Sequence, residues 1–226
     1  MEYLDKEINL AKLEAAITRS IEALCQCRHV KMLKVKWNLS HAIGVSMRKF
    51  SAWDLQLRNP AWLQMFYDTL LYLFTESSNF KVRINACIAL MTVNIYDRGR
   101  IGLDATGTNR KDSIYIELWT SLLEVLARVN SGEQSCEDEL QHKATLVHQL
   151  CRFFTYLCKY LRLDDLEKCL QRIKSESNNL MNSHELRKIL LEYIRTIFDQ
   201  IEANKLEGKK NFGELGLNAS FLNKLE

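Results

Sequence analysis

Residues 23–53 carry six basic side chains (Arg28, Lys31, Lys34, Lys36, Arg48 and Lys49) and no Asp or Glu. Between residues 81 and 111, Lys81, Arg83, Arg98, Arg100, Arg110 and Lys111 face only Asp97 and Asp104. Ammonium and guanidinium groups are donors only. In excess of carboxylates, their chemistry is charge-assisted hydrogen bonding to an acidic peptide or to phosphate. The alternative is a solvated helix face whose counter-charges come from neighbouring helices. Lys34 and Lys36 lie two residues apart, so on a helix only one of such a pair can line a given groove. Asn38 and Asn85 stand four residues after Lys34 and Lys81. A carboxamide donates and accepts, so this pair can bind an extended peptide backbone, or bond each other or a turn carbonyl in a ladder between repeats. The candidate partner-binding residues are therefore Lys34, Lys36, Asn38, Lys81, Arg83 and Asn85.

Other chemistry-bearing patterns lead nowhere comparable. In Cys25-x-Cys27-x-His29 only Cys25 and His29 would share a helical face, and no fourth ligand is evident, so a zinc site is not expected. His184-Glu185 is followed by Leu186-Arg187-Lys188, which lacks the second histidine of a metalloprotease helix. Gly99, Gly102 and Gly107 fit neither a phosphate loop nor a dinucleotide fingerprint. His29, His41, His142, His148 and His184 scatter without the base-and-orienter pattern that activates a nucleophile. No enzyme activity, cofactor or small-molecule substrate is expected. Trp37, Trp53, Trp62 and Trp119 read as core anchors, with Trp53 the candidate for an exposed contact.

The elements that must position these residues are helices. The chain has 226 residues with one proline and eight glycines, against the roughly 5% and 7% of ordinary usage. So few turn formers argue against sandwiches, barrels and doubly wound sheets. Leu186, Ile189, Leu190, Tyr193, Ile194, Ile197, Phe198 and Ile201 recur at helical spacing, and Asn182 with Glu185 fits a capping box before them. Asn59-Pro60 starts a second helix, since proline at the first helical position loses no hydrogen bond. Asp164 with Glu167 starts a third. The net charge of +3 is too small to imply nucleic-acid or membrane binding by itself. No apolar run approaches the ~18 residues of a membrane span. Seven cysteines, an odd number, behind a charged amphipathic start (MEYLDKEINL) suggest reduced thiols and an intracellular protein of the cytoplasm or nucleus.

An internal repeat organises the helices. Residues 34–43 read KVKWNLSHAI and residues 81–90 read KVRINACIAL, an offset of 47. Lys, Val, Asn and Ala recur unchanged, and Lys36/Arg83, Trp37/Ile84, Ser40/Cys87 and Ile43/Leu90 are like for like. Leu24 with Leu71 and Leu33 with Phe80 extend the match. Two helices per ~47 residues is the size of a HEAT or armadillo unit. The pattern predicts helices at 4–26 and 31–49, 60–76 and 80–96, 112–129 and 138–160, and 164–180 and 183–204. The corresponding organisation is repeat 1 at 1–50, repeat 2 at 51–96, a connector at 97–111, repeat 3 at 112–161, a terminal helix pair at 162–205 and a flexible tail at 206–226.

KVKWNLSHAIG and NFKVRINACIAL resemble the second-helix signature of HEAT repeats, where Val-Arg is followed by small and then aliphatic residues. The order KVKWN, NPAW, NFKVRI is similar to the C-terminal part of the HEAT repeat-containing protein six family, from about Ile21 to Phe198. The resemblance implies a right-handed α-solenoid with an armadillo-like superhelical path and no catalytic residues to carry over. Members of that family are much longer than this chain, which implies a fragment or truncated product whose open end would self-associate. HEAT units commonly carry Asp about six residues before the Arg; Val30 and Ser77 stand there instead, so a paired charge ladder is not expected. The function expected is a non-enzymatic protein-binding scaffold whose concave second-helix surface takes an elongated or acidic partner. The alternatives are a karyopherin-like or RNA-adaptor module using the basic stripe, and a structural cap of a longer solenoid.

Overall fold

The 3.6-residue apolar period and the scarcity of breakers leave helices as the way to bury one face per segment. The computed structural model describes residues 2–52, 60–92, 114–131, 137–159 and 195. These form α1 (Glu2–Gln26), a 3₁₀ turn (Cys27–His29), α2 (Leu33–Ala52), α3 (Pro60–Glu76), α4 (Phe80–Met91), α5 (Ile114–Ser131) and α6 (Glu137–Lys159), with no strand among the described residues. The fold is all-α. The expected helices at 164–180 and 183–204, the 97–111 connector, the 206–226 tail and Trp53 lie outside those residues.

Local chemistry explains the ends. α3 begins at Pro60, as the proline requires. Asn79 caps α4 in an extended conformation, its side-chain oxygen accepting the Val82 N–H at 3.1 Å. The Ser77 hydroxyl in turn accepts the Asn79 N–H at 3.3 Å. The sequence predicts that α4 runs to about 96, but it stops at Met91. There the Thr92 hydroxyl donates to the Ala89 carbonyl at 2.7 Å and the Thr92 N–H at 3.1 Å, competing for the acceptor the next turn would use. α2 starts differently. The Met32 carbonyl accepts from the Val35 and Lys36 N–H groups at 3.0 and 3.3 Å, but a methionine side chain offers no capping oxygen.

The chain divides into two compact units. The first holds α1 to α4 and the start of α6, up to Gln149. Within it α3 is central, packing against α1, α2 and α4, while α2 also packs along α4. Its burial follows that position: Trp62, Phe66, Tyr67, Leu70, Leu73 and Phe74 are all enclosed. A fully buried side chain of this size contributes about 1.5–3 kcal/mol. A cleft of about 320 Å³, lined by Ile17, Ile21, Leu24, Ser46 and Phe66, lies beside α1. The Trp62 indole N–H donates to Thr18 at 2.9 Å, and the Thr18 hydroxyl donates to the Glu14 carbonyl at 2.9 Å, tying α3 to α1.

On α2, Leu39, Ile43 and Met47 are buried at i, i+4 and i+8; on α4, Val82, Ala86 and Ala89 are buried at i, i+4 and i+7. The helices meet closely at Gly44, where a Cβ would stand 3.0 Å from the Ala89 Cβ. Cys87, on α4, donates its thiol to the Gln149 carbonyl of α6 at 3.5 Å. In the second unit α5 buries Ile116, Leu118, Trp119, Leu122, Val125 and Val129. Trp119 packs against Phe154 of α6 as a tilted aromatic pair, with centroids 4.8 Å apart and planes inclined by 58°.

Candidate binding surface

The 47-residue repeat places equivalent side chains in two rows. On α2, Lys34, Asn38 and His41 are exposed at i, i+4 and i+7. On α4, Lys81 and Ile88 are exposed and Asn85 is half-buried at the same spacing. α2 packs against α4, so the rows lie on neighbouring helices. Among the described residues no carboxylate pairs with Lys34, Lys36 or Lys81. The Asn85 amide nitrogen donates to the Lys81 carbonyl of its own helix at 2.8 Å. That bond, and not one to Asn38, is where its donor goes. Such a surface offers two ammonium groups, of Lys34 and Lys81, and two carboxamides to an acceptor-rich ligand.

Lys36 is half-buried, and Arg83, read from sequence as part of the binding set, is turned inward at 6% exposure. Its guanidinium donates to the Thr75 carbonyl at 3.4 Å. Thr75 lies in the last turn of α3, where carbonyls lack intrahelical partners and the dipole favours a cation. Arg83 therefore serves the end of α3, and Lys34 and Lys81 are the more exposed members of each basic pair.

The turn before α2 is pinned from one side. The Arg28 guanidinium lies 5.5 Å from the centre of the Tyr72 ring of α3. The Arg28 Nε–H donates to His29 Nε2 at 3.0 Å, and the His29 ring sits 5.5 Å from Tyr72. From this anchored turn the chain passes through Val30, Met32, Leu33 and Trp37, all exposed. Trp37 was expected in the core with the other tryptophans, and it is 41% exposed; Trp62 and Trp119 are buried. Sequence reading missed Met32 and Leu33, although the repeat held a signal: Met32 occupies the position of Asn79, a helix cap.

Cys25 and Cys27 do not converge with His29. The Cys25 thiol points to the Met65 carbonyl at 3.7 Å and the Cys27 thiol to the Ala23 carbonyl at 3.5 Å. Burial pushes the Cys25 thiol above its ordinary value, opposed by the Thr69 hydroxyl and the Arg28 charge. Among the described residues no group of three His, Cys, Asp or Glu side chains gathers around a common point, and no helix is long and apolar enough to cross a membrane.

No family model matches the chain, and no solved structure matches it. It is similar to an uncharacterised protein of Dictyostelium discoideum. The two are 25% identical over 169 residues, which cover 70% of this chain and 10% of that protein. The chain thus spans about a tenth of the length of this relative.

Proposed function

We propose that this chain is a non-enzymatic protein-binding scaffold of HEAT-type helix pairs, stacked as a right-handed solenoid, that holds an elongated acidic partner across α2 and α4. The observation that carries the reading is the pair of equivalent rows, Lys34–Asn38 and Lys81–Asn85, exposed except for the half-buried Asn85, on packed helices and with no carboxylate paired to either lysine among the described residues. A side-chain pattern repeated on neighbouring helices suits a ligand that itself repeats along its length. In the first unit α1 meets α3 and α2 meets α4, helices that the 47-residue offset makes equivalent, while α3 also meets α2 and α4. That pairing is what stacked repeats require, since each unit buries its open face on the next.

The test is fluorescence anisotropy with a labelled polyglutamate peptide and a single-stranded RNA of equal charge. The peptide binds the wild type, its affinity falls with salt, and Lys34→Glu/Lys81→Glu weakens it at least tenfold. Arg83 stays unaltered, because reversing it would disturb the end of α3. Unchanged affinity in the double variant would remove the rows from the site. RNA binding with a steep salt slope, and none of the peptide, would replace the scaffold with a nucleic-acid adaptor.

A further inference from the structure

Four positions before and at the start of α2 depart together from their equivalents 47 residues later. Asn79 caps α4, whereas its counterpart Met32 caps nothing and stands 64% exposed. Phe80 is 4% exposed and its counterpart Leu33 49%; Ile84 is 9% exposed and its counterpart Trp37 41%. Ser77 is buried and bonded to the Asn79 N–H, while its counterpart Val30 is exposed. The second repeat satisfies every local rule at these sites and the first breaks each of them. A cap residue is worth about 0.5–2 kcal/mol, and large apolar side chains left 41–64% exposed return only part of their burial energy. Coincident local violations without a structural gain mark a surface kept for something else.

That surface has a defined chemistry. Leu33 and Trp37 are four residues apart, so they stand about 6 Å apart along one helical stripe. Met32 is unbranched and adapts its shape, and tryptophan is among the residues that most often dominate interfaces. Lys31, Lys34 and Lys36 alternate with these apolar groups, and no acidic residue occurs from 23 to 53. The Arg28–Tyr72 contact holds the turn against α3, so the apolar group is presented by a fixed backbone.

We infer that Val30, Met32, Leu33 and Trp37 form a docking site for an acidic amphipathic helix of a partner protein. Its apolar stripe covers Leu33 and Trp37 while its flanking carboxylates meet Lys31, Lys34 and Lys36. The inference rests on the scaffold reading and narrows it, naming the partner's secondary structure and where it anchors. Charge complementarity selects this occupant over a second copy of the chain, whose equivalent patch is also basic.

The experiment compares two synthetic peptides of identical composition on the full chain. One places Leu at i and i+4 along a Glu-rich helix; the other scrambles the order and has no stripe. The striped peptide binds at least tenfold tighter than the scrambled one. Trp37→Ala and Leu33→Ser each remove that advantage and leave the weak binding of the scrambled peptide intact. Met32→Asn supplies the missing cap, so it raises the melting temperature while weakening the striped peptide. Equal binding of both peptides would overturn the docking site and leave the basic rows standing. Binding of neither would remove both readings. Vesicles of phosphatidylserine and phosphatidylcholine that bind through Trp37 in preference to either peptide would make the patch a lipid contact and overturn the inference. A Met32→Asn protein that is more stable yet binds the striped peptide unchanged would also overturn it.

Discussion

A side chain added at position 44 would bring its Cβ to 3.0 Å from the Cβ of Ala89 and 3.3 Å from its Cα. Neither atom can rotate away, so the two helices must separate. Alanine improves intrinsic helix propensity over glycine by about 1 kcal/mol, but overpacking a close contact costs about 1–3 kcal/mol. Gly44→Ala is therefore expected to lower stability by about 1 kcal/mol net in urea unfolding, and Ala89→Gly in the same chain to restore part of it. A gain in stability would show that the helices part freely. Residue identity alone could not reveal this contact: the glycine is legible, but its neighbour lies 45 positions away. Arg83 teaches the same lesson in the opposite direction. Its charge reads as surface, yet the unsatisfied carbonyls at the end of α3 draw it inward. Lys34 and Lys81, ammonium groups at a helical angle that faces outward, stay in solvent.

Among the elements, the contrast between α2 and α4 is a contrast of starts. α4 has a side-chain cap and α2 has none. Asn79→Ala is expected to destabilise the protein by about 1 kcal/mol, whereas Met32→Ala is expected to leave it within about 0.5 kcal/mol, the range of surface changes remote from such features. Thermal unfolding of the two variants side by side checks this, and a comparable loss in Met32→Ala would mean that the methionine supports the helix. Element type was legible from period and breakers: each described helix overlaps a predicted one, and the Pro60 start falls where proline chemistry puts it. Ends were less legible. α4 stops at Met91 because a threonine hydroxyl captures a carbonyl, a local competition that the aliphatic run beyond it conceals. The site was half legible, since the repeat marks which positions are equivalent and cannot say which of them remain uncovered.

For the whole molecule, the relevant quantity is where charge sits. A net charge of +3 gives weak long-range attraction, so affinity for an acidic ligand depends on the rows themselves. Reversing Lys34 and Lys81 to Glu takes the net charge from +3 to −1, and so does reversing Lys12 and Arg19, exposed on α1. The α1 variant is expected to bind polyglutamate within about twofold of the wild type at 0.15 M salt, where screening extends over about 8 Å. Equal losses in both variants would assign binding to bulk charge. The contact at Gly44 has a further consequence at this scale. Helices that approach so closely have axes about 8 Å apart, the low end of helix packing, and a single helix with its side chains is about 10–12 Å wide. One segment can therefore straddle α2 and α4 and touch both ladders at once. The absent methyl acts as a gauge: in the proposed scaffold, widening it would turn one two-sided grip into two separate weak ones.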